Sequence, residues 1–249
     1  MKITIITVAF NAASTIAETL DSVAAQTYPD VEHIVVDGAS ADATLEVVER
    51  HGKHVARLIS EPDRGIYDAM NKGLRLASGE VIGFLNADDA YADHEVLERV
   101  AAAMKRDQLD ALFGDAEFFS PDRPDWPVRR YRSHYFCPDR IAWGWMPAHP
   151  TLFLRRQLFE RFGMFRTDYR IAGDFELVAR MFHTGTLRYR HLPEILVRMR
   201  IGGISTGGWR NTLLLNREVL RACRENGIKT NLLKILSKYP AKLLELLRR

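Results

Sequence analysis

Cysteine is scarce in this chain of 249 residues, with Cys137 and Cys223 as the whole complement. Neither lies beside a second Cys, which argues against a disulfide framework and fits a reducing, cytoplasmic compartment. Long apolar runs are missing too, and none approaches the length needed to cross a bilayer. The opening run Ile3 to Phe10 is too short for a secretory leader and passes straight into a helical pattern. There is no internal repeat and no low-complexity segment. Glycine is absent where a dinucleotide fold would need it, because the first strand ends in Val8-Ala9-Phe10-Asn11-Ala12. Without a glycine turn the backbone cannot approach a pyrophosphate, so a Rossmann dehydrogenase is excluded. No Gly-Lys-Ser or Gly-Lys-Thr occurs, which removes a Walker P-loop. Bound phosphates would need another device, and carboxylates holding a divalent cation are the obvious one.

Charge is nearly balanced, 35 basic residues against 32 acidic, but unevenly placed. Arg217 to Arg249 holds nine Lys or Arg and three acids, leaving the rest of the chain at about −3. The size and the 47% hydrophobic content suffice for one large domain with a substantial core.

Apolar runs alternate with helical periodicity. Strands are expected at Ile3–Val8, Val31–Val36, Val55–Ile59, Val81–Leu85, Ala111–Phe113 and Thr151–Leu154, with two more short ones around Pro193 within Leu187–Arg200. Helices are expected within Asn11–Gln26 (capped by Asn11 or Ser14), around Leu45–Val48, and at Ile66–Leu76, His94–Lys105 and Arg155–Phe162. Further helices are expected from Asp174 to Phe182, at Trp209–Glu225 and at Thr230–Leu247, with a glycine loop over 202–208. Such alternation predicts an α/β fold with a doubly wound, mostly parallel sheet.

Four of the expected strands end in acid: Asp37, Asp63, Asp88-Asp89 and Asp115. Ligand crevices of open α/β sheets lie outside the carboxyl ends of the strands. Adjacent acids repel and lose hydration together unless a cation lies between them. Two readings of Asp88 and Asp89 stay open: a cation site, or the cap of the following helix. Asp174 has the same pair of readings, helix cap or carboxylate projecting into a cleft. The Pro-, Arg- and aromatic-rich stretch from Phe118 to Trp145 is either a loose connection or the lining of a second substrate site. In it Trp143 and Trp145 are either core or stacking faces for a sugar.

These residues resemble glycosyltransferase family 2. The resemblance is carried by Val8-Ala9-Phe10-Asn11, by Val36-Asp37-Gly38-Ala39-Ser40-Ala41-Asp42-Ala43-Thr44, and by Glu61-Pro62-Asp63-Arg64-Gly65-Ile66-Tyr67-Asp68-Ala69-Met70-Asn71-Lys72-Gly73. Leu85-Asn86-Ala87-Asp88-Asp89 resembles that family's DxD motif and Gly173-Asp174 the site of its base. The resemblance implies a GT-A fold and an inverting, metal-dependent transfer of a sugar from a nucleotide sugar, most often UDP-linked, to an acceptor hydroxyl. It implies that Asp37 and Asp63 grip the donor nucleoside, with Asn86, Arg64, Asn71 and Lys72 completing the donor set. Asp88, with Asp89 beside it, would hold Mn²⁺ or Mg²⁺, and Asp174 would be the general base. Asn86 departs from the commoner Asp, and an amide brings no charge. His149, Asp115, Trp143 and Trp145 are candidates for contact with the acceptor or the diphosphate. No strongly activated Ser or Cys nucleophile stands out, so single displacement is the simpler proposal. The alternatives are a nucleotide-sugar binding protein without catalysis, or a sugar-phosphate nucleotidyltransferase.

The expected organisation is a GT-A domain over residues 1–208, its nucleotide half about 1–115 and its acceptor half about 116–208, followed by a basic helical extension over 209–249. In the extension Leu236, Tyr239, Leu243 and Leu246 recur at helical spacing, with Lys234, Lys238 and Lys242 on the other face and Pro240 breaking the run. Either that helix packs back on the domain, or it rests on an anionic leaflet at the inner face of the membrane and serves a polyprenyl-diphosphate-linked glycan acceptor. No nucleic-acid partner is expected.

Overall fold

The computed structural model describes residues 1–120, 122–202, 208–237 and 239. The remaining expectations for the glycine loop (residues 203–207) and for the tail at Lys238, Pro240, Lys242, Leu243 and Leu246 lie outside the described residues.

The β-branched run β1 (Ile3–Ala9) is wholly buried and forms the middle of a parallel group. It pairs in parallel with β2 (Val31–Asp37) on one side and β4 (Val81–Phe84) on the other, and β2 pairs with the edge strand β3 (Val55–Ser60). The crossovers are α1 (Ile16–Ala24), α2 (Thr44–His51) and α3 (Ile66–Leu76), each amphipathic with its apolar stripe against the sheet. Beyond β4 the sheet continues through β8 (Phe153–Arg155), antiparallel to β4, then β6 (Ala111–Ser120), β9 (Tyr189–Arg200) and β5 (Asp89–Tyr91). β7 (Arg123–Tyr131) hangs from β6 as a hairpin partner. Helices α4 (Val96–Arg106), α5 (Arg156–Phe162), α6 (Gly173–Phe182), α7 (Trp209–Glu225) and α8 (Leu232–Leu236) complete the described chain. No helix among the described residues is long and apolar enough to cross a membrane.

Several expectations are corrected. The segment around Pro193 is one strand, β9, not two. The register against β6 jumps from Phe113↔His191 to Asp115↔Ile195, and this irregularity absorbs a residue that has no N–H to give the ladder. β6 runs on to Ser120, so Asp115 lies inside a strand rather than at its end. The stretch expected to be loose contains β7, whose arginines and prolines hide any alternation because its pairing face is an edge. α4 begins at Val96 with Glu95 at its cap position, so neither Asp88 nor Asp89 caps it. Asp174 likewise lies inside the first turn of α6, with Ala172 at the cap position. α1 starts at Ile16 after Thr15, leaving Asn11 in a left-handed turn (φ 49°).

At the amino-terminal edge of the sheet a buried acid acts as a clamp. Glu32 accepts hydrogen bonds from Thr4 Oγ1 (2.6 Å), Ser78 N (2.8 Å) and Ser78 Oγ (2.8 Å), and Lys2 stands 3.4 Å away. Burial alone would raise its pKa, but these donors bring it down to about 2.

Candidate active site

The loops after β1 and β2 are laced together at the carboxyl edge of the parallel strands. Asn11 N donates to Ser40 Oγ (2.7 Å), Ala41 N to Asn11 Oδ1 (2.9 Å) and Ala12 N to Thr44 Oγ1 (2.8 Å). Asp37 ends β2 fully buried, its carboxylate taken by Ser40 N (3.0 Å), Ser40 Oγ and Ser60 Oγ (2.7 Å). Asp63 follows β3, accepts from Gly65 N (2.7 Å), and lies against Gly38 where any Cβ would collide with its carboxylate. The same absent Cβ would also press on the ring of Phe10, which is 66% exposed. A large ring held out into water beside two strand-end acids is a stacking platform, and the sequence alone gave it no role.

Directly after β4 the chain turns through Asn86, Asp88 and Asp89. Asp89 opens β5 and is buried; Asp89 N donates to Asn86 O (3.0 Å), and Thr19 Oγ1 donates to its carbonyl (2.7 Å). Burial, and then the charge of Asp88, push the Asp89 carboxyl well above the ordinary range. Asp88 is partly exposed, and burial raises its pKa against the opposing charge of Arg200. Arg200 ends β9 and pairs with Glu18 (2.8 Å). Asn86 Oδ1 is buried and accepts no hydrogen bond from the described residues. An orphaned amide oxygen with two carboxylates close by in the chain offers hard-oxygen donors, the chemistry that suits Mg²⁺ or Mn²⁺. Among the described residues no group of three or more His, Cys, Asp or Glu could hold a metal.

The same strand reaches the second cluster. The ring of Phe84, last residue of β4, stacks on His149 at 5.5 Å, and Phe165 meets His149 edge-on at 5.8 Å. His149 faces Asp174, and burial lowers its pKa against the opposing charge of Asp174. Burial raises Asp174, against the pull of His149 and of the Phe175 N–H (2.7 Å). Tyr67, from the first turn of α3, donates to Ile171 O (2.6 Å) and places the same oxygen 3.4 Å from Asp174 Oδ1. Its ring lies flat on Gly173, where a Cβ would come within 2.8 Å of three ring carbons. A cleft of about 200 Å³ opens on the other side of Tyr67, between Arg64–Asp68 and Thr167–Arg170.

Other expected site residues stand elsewhere or are already engaged. Asn71 is buried and both ends of its amide are spent on Phe165, Nδ2 on the carbonyl (2.8 Å) and Oδ1 on the N–H (2.9 Å). Lys72 ties the loop before α3, bonding Pro62 O (2.7 Å) and Glu61 (2.9 Å). Arg64 is exposed and pairs loosely with Asp68 (3.6 Å). Asp115 joins β6 to its neighbours through Arg130 (2.8 Å), Ser133 N (2.8 Å) and His191 (2.7 Å). Trp143 is 43% exposed with Lys234 over its ring at 4.8 Å, and Trp145 packs near Tyr135 (5.9 Å).

Comparison with known proteins agrees with this geometry. A family profile described as Glycosyl transferase family 2 matches residues 4–163. The chain is 33% identical over 201 residues to a PGL/p-HBAD biosynthesis glycosyltransferase of Mycobacterium tuberculosis, covering 78% of this chain and 75% of that one. It is 29% identical over 218 residues to the uncharacterized glycosyltransferase EpsJ of Bacillus subtilis, covering 79% and 63%. Among solved structures, S. aureus TarS 1-349 in complex with UDP-GlcNAc superposes with a TM-score of 0.70 at 21% identity over 89% of this chain. The mannosyltransferase PcManGT of Pyrobaculum calidifontis, in complex with GDP-Man and Mn²⁺, gives 0.65 at 23% identity over 88%. The chain spans 66% of that TarS fragment, 39% of a longer TarS chain and 64% of PcManGT. A family profile matched over most of the chain, a relative at 33% identity and a shared sheet lead to one conclusion: the chain belongs to glycosyl transferase family 2 and is a glycosyltransferase with the GT-A fold.

Proposed function

We propose that this enzyme transfers a sugar from a nucleotide sugar, a UDP sugar first among them, to an acceptor hydroxyl by a single inverting displacement. The observation that carries the proposal is the span of β4, whose last ring, Phe84, stacks on His149, which faces Asp174, and whose end is followed within five residues by Asn86, Asp88 and Asp89. Phe10 stacks the base while Asp37 and Asp63 bind the nucleoside. Asn86, Asp88 and Asp89 would hold Mn²⁺ or Mg²⁺, which when bound stabilises negative charge on the departing diphosphate. The Mn²⁺ in the PcManGT complex supports that choice of cation. Asp174 takes the proton of the acceptor hydroxyl as that oxygen bonds the anomeric carbon and the bond to the diphosphate breaks. Its raised pKa makes it a stronger base than an exposed aspartate, because burial outweighs the opposing pull of His149.

Tyr67 positions Asp174. Its hydroxyl donates to Ile171 O and, over a longer contact of 3.4 Å, to Asp174 Oδ1. It therefore favours the ionised carboxylate that takes the proton, opposing the rise that burial causes. Residues 1–115 serve the donor and 116–208 the acceptor. The acceptor is a lipid-linked glycan presented at an anionic membrane surface, a reading supported by the basic, leucine-rich extension. The test is release of the nucleoside diphosphate from a panel of nucleotide sugars with and without Mn²⁺, followed by the anomeric configuration of the product. Cation-independent release or a retained configuration would sink the scheme.

A further inference from the structure

The described part of the extension divides its apolar residues between two faces. Ile235 is fully buried, Tyr239 accepts a hydrogen bond from Asn216 Nδ2 (2.7 Å), and Thr230 Oγ1 donates to Ala142 O, so α8 is docked on the domain. Asn231 caps it through Lys234 N (2.8 Å). The expectation that Leu236 and Tyr239 share one face is thus corrected: Tyr239 turns inward and Leu236 outward. Leu232 is 45% exposed, Leu233 81% and Leu236 42%, on a helix fixed in place. Trp143, from the 3-10 helix Pro138–Trp143 against which α8 packs, joins them beneath the Lys234 ammonium.

We infer that Trp143 and the outward leucines of α8 form a rigid foot that seats this enzyme on an anionic lipid leaflet. The arrangement is the one an interfacial element needs: apolar side chains pointing out, with cations placed to reach headgroups from the same surface. Lys229 and Lys234 flank the leucines, and Asp139 is the one acid on the adjoining 3-10 helix. From residue 226 to the last residue given, the sequence carries six Lys or Arg against the single acid Glu245, with four more leucines after Pro240. That charge complements an anionic surface. A second protein fits less well, since four apolar side chains fall far short of the roughly 800 Å² per partner that a stable protein interface buries. Trp143 precedes His149 by a short stretch of chain, which links the foot to the site of the proposed transfer. Only this last point rests on that transfer; the foot itself rests on exposure and charge.

The test is co-sedimentation of the full chain at low salt with vesicles of phosphatidylglycerol and phosphatidylcholine, compared with phosphatidylcholine alone. We expect binding to the anionic vesicles at least tenfold above the neutral ones. Leu233→Glu should reduce it by tenfold or more, and Lys234→Glu should reduce it while removing much of its salt dependence. Because Leu233 is a surface residue, Leu233→Glu should keep its melting temperature and its release of nucleoside diphosphate from donor. Wild-type protein left in the supernatant, equal binding to neutral vesicles, Leu233→Glu binding within twofold of wild type, or a dimer in solution that this variant dissolves would each overturn the foot. Vesicle binding without donor turnover would instead overturn the transfer scheme and leave the foot standing.

Discussion

Replacing Tyr67 by Phe removes one oxygen and leaves the ring against Gly173 in place. The lost hydroxyl donates to Ile171 O at 2.6 Å and to Asp174 Oδ1 at 3.4 Å. A hydrogen bond of net worth about 0.5–1.5 kcal/mol to the ionised carboxylate, at 1.36 kcal/mol per pH unit, corresponds to about 0.4–1 pH unit. Base activity by Asp174 requires the ionised carboxylate, so rate falls as pH drops through its pKa. Tyr67→Phe should therefore move the acid limb of kcat/KM upward by about 0.4–1 pH unit. Nearby, burial lowers the pKa of His149, Glu218 accepts from the N–H groups of Arg170, Ile171 and Ala172 (2.8 Å each), and Glu176 is paired with Arg180 (2.9 Å). Leaving Ile171 O unsatisfied should also cost about 1–3 kcal/mol of stability. The assay is initial rate against pH with saturating cation. An acid limb that moves downward would show that Tyr67 accepts from the protonated carboxyl; one that stays still would reduce Tyr67 to packing.

Asp174→Asn keeps shape but cannot take a proton, and kcat should fall roughly 10²- to 10⁴-fold with donor affinity retained by calorimetry. Asp88→Ala removes a partly exposed ligand, not core volume, so it should abolish Mn²⁺-dependent turnover while leaving the melting temperature near that of wild type. Gly38→Ala would drive Asp63 and Phe10 aside, raising KM for the donor about tenfold with a smaller change in kcat. Glu32 has a folded-state pKa below its unfolded value, so its contribution is present above about pH 4.5 and lost as pH falls toward 2. Glu32→Gln should cost about 2–3 kcal/mol in urea unfolding at neutral pH and flatten the stability profile across that acid window.

The legible parts of the sequence were those where local pattern and tertiary place coincide. β1, β2 and β4 are apolar runs buried on both faces, and the amphipathic crossovers between them show ordinary helical spacing. The acids at 37, 63, 88 and 89 were legible because a parallel sheet delivers its strand ends to one edge. β5 was not, since three residues carry no period and only their pairing with β9 makes them a strand. Asp115 misled because a glycine before an acid looks like a strand end, whereas Gly114 is there to admit Leu196. Tyr67 and Arg200 escaped because nothing near them in the chain announces the partner: Tyr67 meets Asp174 across α6, and Arg200 reaches Asp88 only through the β5–β9 pairing.

That pairing also dates the site in the life of the molecule. Asp89 faces Met199, more than a hundred residues later, and the strand joining them to the rest of the sheet, β6, pairs with β9 over a comparably long loop. Contacts so far apart in sequence close late, because loop entropy is spent before they form. Asp88 and Asp89 therefore gain the neighbouring wall of β9 only once that late strand has docked. On the proposed scheme, cation affinity should arise only after β9 has emerged and docked.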